Sequence, residues 1–478
     1  MSSSLLTITQ IARSTDVPHL DLLDGFVPGR HGQTIGLDNI IHPPTLKATS
    51  GSSAAPSRPR PTITPAVFSY SANNPIVPLK VTATYNFGAG APVAAHGKDA
   101  ESTTRYCLVG TQTSVISGGR NANSQAVTDG FEMMSDPFEA PAGTGISTFT
   151  AERFHVTNDG PRRPGCPFKL HGILSWKLVL ADGSHGLVKE SHNQLTVEFY
   201  FTFGSRHNLP YEYTNEFFLP LNRLAYPAYH EVKGRAWDAL ESSVVRGIVE
   251  RLWRRGSRSE PKPMYYDARI NGGQPHIVEG KVVHLERFFE RTTKMVNCFD
   301  LAAVLKLALL SLGTQAGNPT ENFIRDIRMV ETTPWGYIRD GPCFGFEKGE
   351  AHNCNNPFWL DPTGSGHRPP KLPPLHPWRL PFSCHCYVLY KDTSGVERAL
   401  DACHALSNGR DPANNNRYRP VTLVDGRFTH PDFIGNIDPN GPPRPYLAAA
   451  RTTRDYVIAI PQVTTTAPLV GTVDDWDF

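Results

Sequence analysis

The sequence predicts an α+β protein whose N-terminal half is built of strands, and three observations carry that reading. Residues 66–228 alternate short β-branched and aromatic runs with clusters of Gly, Asn, Asp and Pro. From residue 237 to 253, apolar side chains recur at helical spacing. An unbroken apolar helix-former run at 298–312 is then followed by two strand-like runs around His385 and Asp401. At 478 residues the chain has room for two or three domains and a sizeable core, and its 42 Pro and 40 Gly point to a globular, loop-rich molecule.

In chain order, residues 1–65 form an N-terminal segment that includes a linker at 42–65, where Ser, Pro, Ala and Thr dominate and little can be buried. Residues 66–228 read as a β-sandwich-like domain, with strands at 79–87, 172–180 and 195–203 and the turn signal Ala181-Asp182-Gly183-Ser184 after the second. A second domain spans 229–463. It opens on an amphipathic helix in which Trp237, Leu240, Val244, Ile248 and Leu252 share a face, closed by Gly256. Arg246, Arg251, Arg254, Arg255 and Arg258 belong to that region and read as a solvated face, since no aromatic stacking set is interleaved with them. Residues 285–295 continue as helix. The run 298–312 lacks Gly and Pro, stops before Gly313, and is apolar on nearly all sides, which predicts a buried helix. The runs at 382–390 and 396–403 flank the turn signal Lys391-Asp392-Thr393-Ser394-Gly395 and read as a hairpin, with further strands at 421–428 and 455–460. A loose tail occupies 464–478.

The chemistry gathers in that second domain. Cys298 opens the apolar helix, where free backbone N–H groups and the positive end of the helix dipole favour a thiolate. His385 and Asp401 lie on the two strands of the hairpin, where side chains of adjacent strands can meet. A thiol needs a base to take its proton, and an imidazole needs a carboxylate to fix its tautomer, so these three types in this order read as nucleophile, base and orienter. Acyl transfer also needs donors aimed at the developing oxyanion. The backbone N–H of Cys298 is the first candidate, and the amides of Asn297, Asn355 and Asn356 are further ones, although an Asn beside a helix start is ordinarily a cap and Asn-Pro an ordinary turn signal. Asp300 suits first-turn capping and is given no catalytic role. The Pro- and Gly-rich stretch 361–381 reads as a loop beside the site, either a lid or a simple insertion.

A cysteine at a helix start, then a histidine on a strand, then an aspartate on the neighbouring strand resembles the transglutaminase-like superfamily of papain-type thiol enzymes, over about residues 285–405. The resemblance implies a transglutaminase-like catalytic domain in which Cys298 is the nucleophile, His385 the general base and then acid, and Asp401 the group that orients His385. It implies attack on an amide or ester carbonyl through a thioester, with hydrolysis or transfer to an amine to follow. The expected partners are a peptide, protein or small amide substrate and, for transfer, an amine acceptor. The alternative is a catalytically silent binding or scaffold protein on the same fold.

No cofactor is expected and no metal. Cys384 and Cys386 should point to the face opposite His385, so the three would not share one ion, and no C-x-x-C pair occurs. Eight scattered cysteines in so long a chain do not suggest a disulfide framework. A net charge of +2 favours neither nucleic acid nor a membrane surface. The N-terminus shows no basic leader and no run of apolar residues is long enough to span a bilayer, so a cytoplasmic location is expected.

Overall fold

The computed structural model describes residues 6–13, 26–27, 66–70, 76–87, 104–114, 130–139, 146–157, 167–181, 186–191, 195–203, 217–256, 263–267, 274–279, 282–289, 292–312, 325–332, 343–345, 378, 380–411 and 417–425. The expected linker at 42–65, the strand at 455–460, the tail, Asn355, Asn356 and most of the stretch 361–381 lie outside them. The described chain is a mixed α/β structure made mostly of strands.

The N-terminal strands are β1 (Thr7–Arg13), β2 (Phe26–Val27), β3 (Ala66–Tyr70), β4 (Ile76–Asn86), β5 (Arg105–Ser114), β6 (Glu132–Met134), β7 (Phe138–Glu139), β8 (Ile146–Val156), β9 (Phe168–Leu180), β10 (Leu187–Glu190), β11 (Leu195–Phe203) and β12 (Phe217–Phe218). Ten of them form one sheet in the order β1-β4-β8-β6-β5-β9-β11-β3, with β10 beside β9 and β7 beside β5. Every pairing is antiparallel except that of β11 with β3. Alternation drives the arrangement. Along β9, Phe168, Leu170, Gly172, Leu174, Trp176 and Leu178 are buried while the residues between them are half-buried, as expected of a sheet with one face on the core.

Two facing sheets were the expectation, and the structure instead shows a single continuous one. A bridge between Leu6 and Ser191 returns the edge strand β1 to the end of β10, so the sheet is rolled back towards itself. A rolled sheet and a sandwich bury the same alternate residues, which is why sequence patterning does not separate them. The sheet also takes β1 from within the segment 1–65.

The helices are α1 (Leu219–Ala225), α2 (Tyr229–Val232), α3 (Trp237–Arg254), α4 (Leu285–Phe289) and α5 (Cys298–Ser311). The remaining strands are β13 (Tyr265–Tyr266), β14 (Val278–Glu279), β15 (Val282–Val283), β16 (Met295–Val296), β17 (Arg325–Thr332), β18 (His385–Lys391), β19 (Glu397–Asp411) and β20 (Arg417–Asp425). β17 to β20 form an antiparallel sheet in sequence order. Buried packing runs between the two halves: Tyr200 packs edge-on to Tyr226 at 5.4 Å, and the Tyr226 hydroxyl donates to Ser311 O at 2.9 Å.

Helix α3 presents the apolar face its spacing predicts. Its basic residues divide, however. Arg246 and Arg254 are exposed, but Arg251 donates to Leu224 O at 2.6 Å and Ala225 O at 3.3 Å, satisfying carbonyls at the end of α1, and Arg255 is buried beneath the Phe289 ring at 5.5 Å. The helix expected over 285–295 ends at Phe289, and the chain turns into β16. Thr293 sits at the change, its hydroxyl donating to Met295 O at 2.9 Å, a local bond that competes with helical pairing.

Every residue of α5 except Phe299 is buried, and the helix lies against β17, β18 and β19. Burial on all sides removes any solvated stripe, so register and orientation are set by packing alone. Leu305→Ala is therefore expected to cost about 2–5 kcal/mol in urea unfolding, against under about 1 kcal/mol if this helix were loosely packed.

Candidate active site

Cys298 is the first residue of α5, and the chain fixes it there by a reciprocal cap. The Asn297 carbonyl oxygen of the side chain accepts from Asp300 N at 3.1 Å, and Asp300 Oδ2 accepts from Asn297 N at 3.0 Å. Asp300 does more than cap. Fully buried, it also accepts from His276 N at 3.0 Å and Ile277 N at 2.9 Å, tying the segment before β14 to the helix start. Burial raises its carboxyl above the ordinary carboxylate range against the pull of those N–H donors. The Asn297 side-chain oxygen serves the cap as an acceptor, and the group that would donate to an oxyanion is the amide NH2 of the same side chain.

The hairpin supplies the other two groups. Val388 pairs with Leu400, and on that register Asp401 falls opposite Tyr387, diagonal to His385 rather than facing it. Diagonal neighbours on one sheet face remain within reach of long side chains. His385 Nε2 meets Asp401 Oδ2 at 2.7 Å with both side chains almost wholly buried, and Asp401 Oδ1 accepts from Cys403 N at 2.7 Å. Both carboxylate oxygens are thereby spoken for. The hairpin tip is held by α3: Glu241 Oε2 accepts from Thr393 N at 3.0 Å and from its hydroxyl at 2.8 Å.

The Cys298 side chain neighbours the His385 ring closely enough to act on its titration. Burial works to lower the His385 pKa, but the Asp401 carboxylate and the nearby Cys298 outweigh it, and the value is pushed up to about 10. Nucleophile, base and orienter thus lie together, base and orienter joined by a hydrogen bond.

Three neighbours were not singled out as site residues by the sequence reading. The His404 ring lies 4.6 Å from that of His385, wholly buried, and burial pushes its pKa down to about 3, so it is neutral at physiological pH. Phe382 stands edge-on to both imidazoles, at 5.9 Å from His385 and 5.0 Å from His404. Tyr266 completes the wall: its ring meets Phe382 at 6.2 Å, and its side chain neighbours that of Cys298. His404 is three residues from Asp401 and could be suspected from spacing; nothing in the sequence marks Tyr266.

His385, Asp401 and Cys403 bring potential metal-ligand atoms within 4.8 Å of one another. A cation there would have to break the His385–Asp401 hydrogen bond and take a Cys403 thiol whose pKa burial raises well above normal. The donors fit a proton path better than a coordination sphere. Cys107, Cys298, Cys343, Cys384, Cys386 and Cys403 are free thiols. No helix among the described residues is long and apolar enough to cross a membrane.

Comparison of the chain with protein-family models, with curated proteins and with solved structures finds no match in any of the three.

Two outcomes follow from the geometry. Folded His385 holds its proton up to about 10 whereas the ordinary value is 6.5, so between those limits the native state binds more protons than the unfolded chain. The stability this pair contributes is complete below the lower limit and lost as pH rises towards the upper one. Urea unfolding across that window should show the decline, and Asp401→Asn should flatten it. Asp300→Ala leaves two buried N–H groups, of Asn297 and Ile277, and the half-buried one of His276 without their acceptor, and should cost at least about 2 kcal/mol by the same measurement, since each buried group costs about 1–3 kcal/mol.

Proposed function

We propose that the protein is a cysteine-nucleophile enzyme of transglutaminase-like type, acting on an amide or ester carbonyl through a thioester acyl-enzyme. The observation that carries this reading is the buried His385–Asp401 hydrogen bond with the Cys298 side chain beside the imidazole. In it, the Cys298 proton resides on His385 before attack, the imidazolium is stabilised by Asp401, and the sulfur attacks the carbonyl carbon. The tetrahedral intermediate collapses, the leaving amine or alkoxide takes the proton from His385, and the acyl group remains on sulfur. Water or an amine then attacks the thioester, with His385 as base, to give hydrolysis or amide formation. The backbone N–H of Cys298, unpaired within the first turn of α5, is the main-chain donor nearest the developing oxyanion.

One observation favours the alternative of a catalytically silent protein: Cys298 is only 6% exposed. Iodoacetamide separates the two. For the enzyme, Cys298 should alkylate at mildly acidic pH well ahead of Cys107, Cys166, Cys343 and Cys354, and His385→Ala should slow it, because only a base-paired thiol is ionised there. Slow and equal labelling of all of them would support the silent protein. Intact-mass trapping with Gln-, ester- and peptide-type substrates, with and without a competing amine, should then yield an acyl adduct on Cys298 and show which acceptor discharges it.

A further inference from the structure

Tyr266 is held against the nucleophile by a continuous track of backbone pairing. On one side, β13 runs parallel to β16 with Tyr266 paired to Val296, two residues before Cys298. On the other, Tyr266 N donates to Phe344 O at 3.2 Å, Phe344 N donates to Cys403 O at 2.8 Å, and Cys343 bridges His404. The short segment 343–345 therefore stitches the strand carrying Asp401 to the strand carrying Tyr266. The stitch is tight: Gly345 has φ 77°, and a Cβ there would lie 2.4 Å from Met264 O and 2.8 Å from the Cα of Tyr265. Phe382 closes the remaining side of the phenol ring. Nothing in the packing of a core strand requires a hydroxyl at this place.

From this placement we infer that Tyr266 is a catalytic residue, its phenol O–H donating a hydrogen bond to the oxyanion that forms when Cys298 attacks. This rests on the thiol-enzyme reading above. In the resting protein the Tyr266 side chain neighbours the Cys298 side chain, as the pairing of Tyr266 with Val296 requires. When the new S–C bond forms, the π pair of the carbonyl moves to its oxygen, which is then two bonds from sulfur. A donor beside the sulfur meets that oxygen with a small swing of the O–H. The thiol proton goes to His385, and from there to the leaving group, so Tyr266 keeps its own proton throughout. Burial supports the role: it raises the phenol pKa well above normal, which keeps the group a neutral donor, and it excludes the water that would otherwise compete for the charge. Together with the backbone N–H of Cys298, the hydroxyl makes a two-donor oxyanion site.

The test compares two reactions of one thiol in the full chain. Acylation by a p-nitrophenyl ester passes through an oxyanion; alkylation by iodoacetamide does not. Tyr266→Phe keeps the ring and should slow acylation by about 10²–10³-fold while leaving alkylation within about twofold of wild type. Equal slowing of both would overturn the inference and make Tyr266 a group that acts on the ionisation of the thiol, and no slowing of either would overturn it outright. Alkylation at the wild-type rate also reports that the variant is folded. Should Tyr266→Phe not fold, 3-fluorotyrosine at position 266 carries the test, where a change confined to acylation supports the role and an equal or absent response overturns it. Failure of the underlying reading looks different: wild-type protein would then form no acyl adduct on Cys298.

Discussion

A buried hydrogen bond between an imidazole and a carboxylate, His385 Nε2 to Asp401 Oδ2 at 2.7 Å, is the interaction on which the rest of this structure depends. Removing either group from water is costly unless the other is there to meet it, so the pair constrains everything around it. It requires β18 and β19 to be neighbours in one register, because a slip of one residue would turn one of the two side chains to the opposite face. It spends the second carboxylate oxygen on Cys403 N, which leaves Asp401 one orientation. And it gives His385 a hold on a proton far stronger than a free imidazole has, which suits a group that must take one from a thiol.

The thiol is brought to that ring by a different kind of force. Helix α5 is buried on every side and has no polar face to orient it, so apolar packing carries it across the β17–β20 sheet. Packing alone would leave its first turn free to fray, and the first turn is where Cys298 lies. Asp300 prevents this by collecting N–H groups from Asn297, His276 and Ile277. The carboxylate that caps the helix thus also fixes the nucleophile, although it touches no reacting atom. Glu241 plays a matching part for the hairpin, gripping the Thr393 turn from α3. Two buried carboxylates, one at each end of the dyad's supporting frame, convert a greasy core into a defined geometry.

Much of this was legible in the sequence because it is written in local patterns. The apolar stretch of α5, the hairpin around Asp392 and the alternation in β9 each depend on residues within a few positions of one another. What was not legible depends on contacts between distant segments. Whether the N-terminal strands make two sheets or one rolled sheet is decided by pairings between distant strands, the bridge between Leu6 and Ser191 among them, which no local pattern records. The end of α4 at Phe289 reflects the demand for β16 beside β13, overriding helix-forming side chains. Arg251 and Arg255 look like surface charge on a helical wheel, and only the carbonyls of α1 and the Phe289 ring explain why they turn inwards. Within the site, Cys298, His385 and Asp401 stood out because their chemistry is rare in such settings, while Tyr266 and Phe382 were hidden among ordinary aromatic core residues.

The central claim is that the sulfur of Cys298 and the imidazole of His385 face each other across a short gap in the folded protein. The most direct measurement is cross-linking with 1,3-dibromoacetone, which joins a nucleophilic thiol to a ring nitrogen only when the two are within a three-carbon bridge. The account predicts one bridged product, in which proteolysis and mass spectrometry connect the peptide containing Cys298 to the peptide containing His385. Simple alkylation of Cys298 without a bridge, or a bridge from it to some other side chain, would contradict the account.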